Sequence, residues 1–98
     1  MITRLVKLEF LPEHADRFAL FFEGEAEGIR RVAGCRSVQA FRDVDQPTRF
    51  FTQSVWESPE ALEAYRASDF FRNNWRTVKA WFSAPPAAWS TSALSPVE

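Results

Sequence analysis

Period-two alternation opens the chain. From Ile2 to Phe10 the even positions hold Ile2, Arg4, Val6, Leu8 and Phe10, and the odd ones Thr3, Leu5, Lys7 and Glu9. The pattern predicts a first strand with one mainly apolar face, on which Arg4 is the exception. Ala15, Phe18, Phe22, Ala26 and Ile29 then recur at spacings of three and four, which predicts a helix through about Val32. Pro12 suits its first turn, Glu13 and Asp16 complement its dipole, and Gly34 is the expected C-cap.

Alternation returns from Cys35 to Val44 and from Arg49 to Glu57. Asp45-Gln46-Pro47-Thr48 between them has turn chemistry, so the pair reads as a hairpin. On the return strand Phe50, Thr52, Ser54 and Trp56 share one face, and Phe51, Gln53 and Val55 the other. Large apolar groups on both faces predict a sheet covered on both sides, by helices on one and by a second subunit on the other. Ser58-Pro59-Glu60 starts the next helix, with Leu62 and Tyr65 on its inner side. Ser68 or Asp69 restarts a helix whose stripe is Phe71, Trp75, Val78 and Phe82, and Pro85-Pro86 stops it. Trp89 to Leu94 is the candidate last strand. The order β-α-β-β-α-β is the split βαβ, ferredoxin-like arrangement of the α+β class. One domain is expected, with a core over about residues 2–90 and a tail over about 91–98.

Charge and targeting narrow the partners. Twelve basic and thirteen acidic residues leave a net charge of -1, which is no footprint for nucleic acid or an anionic membrane surface. The charge-free stretch from Ala80 to Val97 contains Pro85, Pro86 and Pro96 and is rich in Ser and Thr, so no membrane helix is expected there. The expected location is the cytoplasm. Cys35 and His14 are each the sole residue of their kind. Neither a disulfide nor a His-based metal site can be assembled within one chain, and no metal or cofactor is expected. His14 reads as a solvated surface residue on the first helical turn, Cys35 as a small buried one, and Asp43 and Asp45 as partners for turn amides.

Ten Phe, four Trp and one Tyr are 15% of the chain, an aromatic load that implies a dense core, a partner surface or an aromatic-lined cavity. Gln39, Thr52 and Ser54 bear on that choice. Hydroxyls and an amide on inner strand faces must find partners, and lining a wet or ligand-filled cavity is one way. Arg4 poses the same question: it pairs with a carboxylate such as Glu25 or Glu57, snorkels past the sheet edge, or points into a pocket.

Several segments together resemble a known family. Ile2-Thr3-Arg4-Leu5-Val6, Gly34-Cys35-Arg36, Phe41-Arg42-Asp43, Ser68-Asp69-Phe70-Phe71 and above all Val55-Trp56-Glu57-Ser58-Pro59-Glu60-Ala61-Leu62 are similar to the antibiotic biosynthesis monooxygenase domain, over about residues 2–90. The resemblance implies a dimeric α+β barrel, in which ferredoxin-like subunits pack sheet to sheet. Quinone-forming members, which oxidise polycyclic phenols or anthrones without a cofactor, place an Asn four residues before the strand-end Trp and a Tyr six after it. Here Trp56 is kept, while those positions hold Thr52 and Leu62. Those members also use an Arg on the later helix, for which Arg72 and Arg76 are loose matches. Haem-degrading members carry a second Trp nine residues on, a His ligand ten beyond that, and an Asn in the first strand. Here Tyr65 and Trp75 stand at the two later positions and the first strand has no Asn.

The function implied is cofactor-independent monooxygenation of a small phenolic, quinol-like or polycyclic aromatic substrate. The competing reading is a non-catalytic binding or structural dimer of the same fold. The expected catalytic residues are Trp56, as a pocket wall offering its indole N–H, with Tyr65 and Thr52. Arg4, Ser54, Leu62, Phe71 and Trp75 are the expected substrate-binding residues, and the expected partners are a second copy of the chain and a small apolar or aromatic ligand.

Overall fold

The structure is a computed structural model that describes residues 1–94. Strand β1 (Ile2–Glu9) leads into helix α1 (Pro12–Arg30), the hairpin β2 (Cys35–Arg42) and β3 (Arg49–Trp56), helices α2 (Pro59–Arg66) and α3 (Asp69–Lys79), and strand β4 (Ala87–Thr91). The four strands form one antiparallel sheet in the order β2-β3-β1-β4. This is the ferredoxin-like α+β arrangement that the alternating segments predict. Candidate tail residues 95–98 lie outside the described residues.

Register sorts the side chains as the period-two pattern expects. Arg4 faces Ser54, Val6 faces Thr52 and Leu8 faces Phe50 across β1 and β3, and successive residues point to opposite faces. The helices cover this face. There Leu8, Phe10, Ala15, Phe18, Phe50 and Val78 form the buried core. Phe10 stacks on Phe18 at 4.5 Å between ring centroids and meets Phe50 edge-on at 5.6 Å. The opposite face is open, and Leu5, Phe41, Phe51 and Trp89 stand exposed on it.

Local chemistry explains the element ends, including those that depart from expectation. Ser58 and Ser68 each accept a hydrogen bond from the third following amide, Ala61 and Phe71, and so cap α2 and α3. Helix α1 stops at Arg30 and Arg31 is its C-cap, so Gly34 is not the helix cap. Gly34 instead makes the turn into β2 at φ 86°, with its carbonyl accepting from the Glu57 amide at 2.8 Å. A Cβ there would collide with that of Ala61, so both space and backbone demand glycine. The hairpin turn takes in Val44, because both oxygens of Asp43 are engaged: Oδ1 accepts from the Asp45 and Gln46 amides, and Oδ2 pairs with Arg49.

Three further expectations shift. Phe82 lies beyond α3 and forms an isolated bridge with Phe10, so the aromatic stripe leaves the helix to close the end of the core. Strand β4 is displaced toward the N-terminus, to Ala87–Thr91, where it pairs with Thr3 to Lys7. His14 is half-buried rather than solvated, because the segment after α3 folds over the first turn of α1. The Leu11 amide donates to the Trp81 carbonyl at 3.0 Å, and the His14 ring stacks on Trp81 at 6.0 Å. No helix of the described residues is long and apolar enough to cross a membrane.

Candidate active site

The helix-covered face is filled at one end and hollow toward the other. Beyond Leu8 and Phe50, the paired residues on β1 and β3 shrink or turn polar: Val6 with Thr52, then Arg4 with Ser54. Large rings on the helices, Phe21 and Phe22 from α1 and Phe71 and Trp75 from α3, hold the layers apart over these short side chains. The result is a cavity of about 330 Å³, at the low end of the range of roughly 300–1,000 Å³ common for small-molecule sites.

Of the eight residues expected to form the site, Arg4, Thr52, Ser54, Leu62, Tyr65, Phe71 and Trp75 line this cavity. Trp56 does not. It is fully buried, at 0% exposure, and its indole N–H donates to the Ser54 hydroxyl at 2.9 Å. The structure therefore places Trp56 behind the wall, where its ring stacks on Tyr65 at 4.8 Å. From there the rings continue, Tyr65 edge-on to Phe71 at 5.1 Å and Phe71 stacked on Trp75 at 5.8 Å. Arg72 and Arg76 are exposed and do not line the cavity, and Arg76 binds Asn73 instead.

Arg4 resolves toward the pocket. Its guanidinium donates to the Ser90 hydroxyl on β4 at 2.9 Å and has no carboxylate within 4 Å among the described residues. Glu57, one partner considered for it, pairs with Arg36 at 3.4 Å. Burial and the neighbouring Arg66 guanidinium push the Arg4 group below its ordinary value, and Glu63 only partly opposes them. Arg66 also lines the cavity and is held by Glu63 at 3.0 Å.

Glu25 and Asn74 complete the polar lining, and sequence reasoning did not place them in the site. Asn74 donates to the Glu25 carboxylate at 3.4 Å. The signal existed: Glu25 follows Phe22 by three and precedes Ile29 by four, and Asn74 stands in the same relation to Phe71 and Val78. Each is a polar residue on an inward stripe. Tyr65 is pushed up to about 12, chiefly by burial and further by Cys35 and Glu25, so its hydroxyl keeps its proton. Burial likewise raises the Cys35 thiol. Among the described residues no group of three His, Cys, Asp or Glu side chains gathers to hold a metal ion.

The arrangement is an apolar, ring-walled cavity with one carboxylate, one neutral phenol and two guanidiniums at its rim and floor. The sequence profile of the antibiotic biosynthesis monooxygenase family matches residues 1–81, and the chain belongs to that family. Solved structures carrying the family's name share the fold. One from Nitrosomonas europaea is 18% identical with a TM-score of 0.88, over 97% of this chain and 100% of that one. Another from Deinococcus radiodurans is 18% identical with a TM-score of 0.89, over 100% and 97%. A third, from Bordetella bronchiseptica, is 20% identical with a TM-score of 0.85, over 96% and 97%. No curated protein matches the chain.

Proposed function

We propose that the protein is a cofactor-independent monooxygenase that converts a small phenolic or quinol-type aromatic to a quinone. The observation that carries this reading is the cavity itself: aromatic walls around a carboxylate, Glu25, and a phenol, Tyr65, that stays neutral. The reaction asks little more of a protein. Loss of the substrate's hydroxyl proton gives an electron-rich phenolate, which itself supplies the electrons to oxygen. With a phenol one oxygen atom becomes the new carbonyl, with a quinol it becomes the hydroxyl of a hydroxyquinone, and in both the other leaves as water, so no external reductant enters the balance. Glu25 is the proton acceptor, held in place by Asn74. Tyr65 donates a hydrogen bond to the developing oxyanion, and Thr52 and Ser54 offer hydroxyls on the cavity floor. Trp56 acts indirectly, as the buried ring against which Tyr65 is stacked.

The test is oxygen uptake with naphthol and naphthohydroquinone, corrected for autoxidation. One dioxygen consumed per oxygenated quinone formed, with no hydrogen peroxide released and with loss of the rate in Glu25→Gln, supports the proposal. Binding without uptake points to the non-catalytic reading, which the sealed position of Trp56 favours. The open sheet face supports a second copy of the chain as partner. Leu5, Phe41, Phe51 and Trp89 form an exposed apolar surface on it, and an obligate sheet-to-sheet dimer buries on the order of 2,000 Å² or more. A monomer by light scattering at micromolar concentration would overturn that assembly.

A further inference from the structure

We infer that the substrate carries an anionic group, of the carboxylate class, on the side of its ring system away from the reacting phenol, and that Arg4 anchors it with Arg66 beside it. The inference rests on the cavity being the reaction site as proposed above, and it names which aromatic the site selects.

The cavity's charged groups are carried on different elements. Arg4 on β1 and Arg66 at the end of α2 line it, close enough for Arg66 to act electrostatically on Arg4. Glu25 and Asn74, from α1 and α3, also line it and are bonded to each other. Tyr65 feels the Glu25 carboxylate, whereas the charges acting on Arg4 are Arg66 and Glu63. The two guanidiniums are unequally matched. Arg66 is paired with Glu63, at 3.0 Å, while the only side-chain partner of Arg4 among the described residues is the neutral Ser90 hydroxyl.

A half-buried cation beside a second cation, with no carboxylate of its own, is electrostatically incomplete. A ligand carboxylate supplies the missing charge and meets the planar guanidinium with two parallel N–H donors. The Ser90 hydroxyl already holds one guanidinium nitrogen, Nη1, so part of the orientation is fixed before binding. An uncharged quinol satisfies the rings and Glu25 but leaves Arg4 as it is. The aromatic walls then set the ring system and the two polar ends set its direction, with the phenol at Glu25 and the anion at Arg4.

The experiment compares a hydroxynaphthoate, with hydroxyl and carboxylate on opposite rings, against its carboxamide of the same shape and against naphthol. Binding is read by quenching of the protein's tryptophan fluorescence. The acid is expected to bind more tightly than the carboxamide by on the order of tenfold to a hundredfold. Arg4→Gln abolishes that preference while leaving carboxamide and naphthol binding in place, and Arg66→Gln reduces it. Should Arg4→Gln not fold, Arg4→Lys replaces it: a point charge without the planar fork is expected to keep only part of the preference. Equal affinities for acid and carboxamide in the wild-type protein overturn the anionic anchor alone, as does a preference that survives intact in the Arg4 variant. If naphthol, carboxamide and acid all fail to bind, the reading of the cavity as an aromatic site falls with it.

Discussion

Two ends of one sheet face, built from the same two strands, behave differently. Where Leu8 and Phe10 stand beside Phe50, three large apolar side chains join Phe18 and Val78 in the buried core. Two register steps away, Val6 and Arg4 stand beside Thr52 and Ser54, and the rings descending from the helices close over a hollow. The backbone is the same extended ladder throughout. What differs is side-chain volume on the floor: helices held off by rings such as Trp75 and Phe22 reach Phe50 but not Thr52. A pocket here is a consequence of two small hydroxyl residues placed where the strand pattern would take large apolar ones.

The largest expected effect tests the filled end. Phe10 is 1% exposed and packs against Phe18, Phe50 and Phe82. Phe10→Ala should therefore cost about 3–5 kcal/mol in urea unfolding, the range for a large ring removed from a close-packed core. A loss no larger than that of a cavity-floor variant would mean that the two ends do not differ in packing.

Next in size is the hydrogen bond that seals the far end. Ser54→Ala leaves the fully buried Trp56 N–H without its acceptor, at an expected cost of about 1–3 kcal/mol. Ser54→Ala combined with Trp56→Phe should cost less than the sum of the two single changes, because the second removes the orphaned donor. Strict additivity in the double-mutant cycle would show that the bond carries no energy of its own.

Thr52→Leu tests the hollow directly. It adds apolar volume where the cavity has room, so folding stability should stay within about 1 kcal/mol of the wild type. Naphthol binding should be lost, since the added side chain projects from the floor into the cavity that Thr52 lines. Retained binding in a stable Thr52→Leu protein would put the ligand elsewhere.

This contrast also marks how far the sequence was legible. Strand faces follow from period two and the helix starts from Ser58, Pro59 and Ser68, all of which are local chemistry. The hydroxyls of Thr52 and Ser54 on an inner face pointed to a cavity on the same grounds. The fate of Trp56 was harder to read, because its position at a strand end suggests a cleft border. Whether its N–H looks outward depends on the rotamer that brings it to Ser54, two residues back on the same face. Arg4 was undecided for a different reason. Its carboxylate candidates, Glu25 and Glu57, are each held by another side chain, Asn74 and Arg36, and only the assembled fold shows that competition. Glu25 and Asn74 were within reach, as polar residues interrupting apolar stripes.

The smallest expected effect concerns Tyr65, which stands where the hollow meets the sealed end. Burial holds its phenol up to about 12 against an ordinary value of 10.0. A raised value means that the folded chain keeps the proton while the unfolded chain gives it up. The contribution to stability is therefore complete below about pH 10 and is lost as pH climbs toward 12. Tyr65→Phe carries no such proton. Its stability relative to wild type should be constant with pH up to about pH 10, then gain about 1 kcal/mol by about pH 11, as the wild type alone loses the term. The difference between the two proteins cancels the lysines and arginines that titrate in the same range. Chemical denaturation at a series of alkaline pH values reads it. A flat difference across the whole range would mean that the phenol titrates as freely in the folded chain as in the unfolded one, and that the cavity wall at Tyr65 is open to water rather than closed against Trp56.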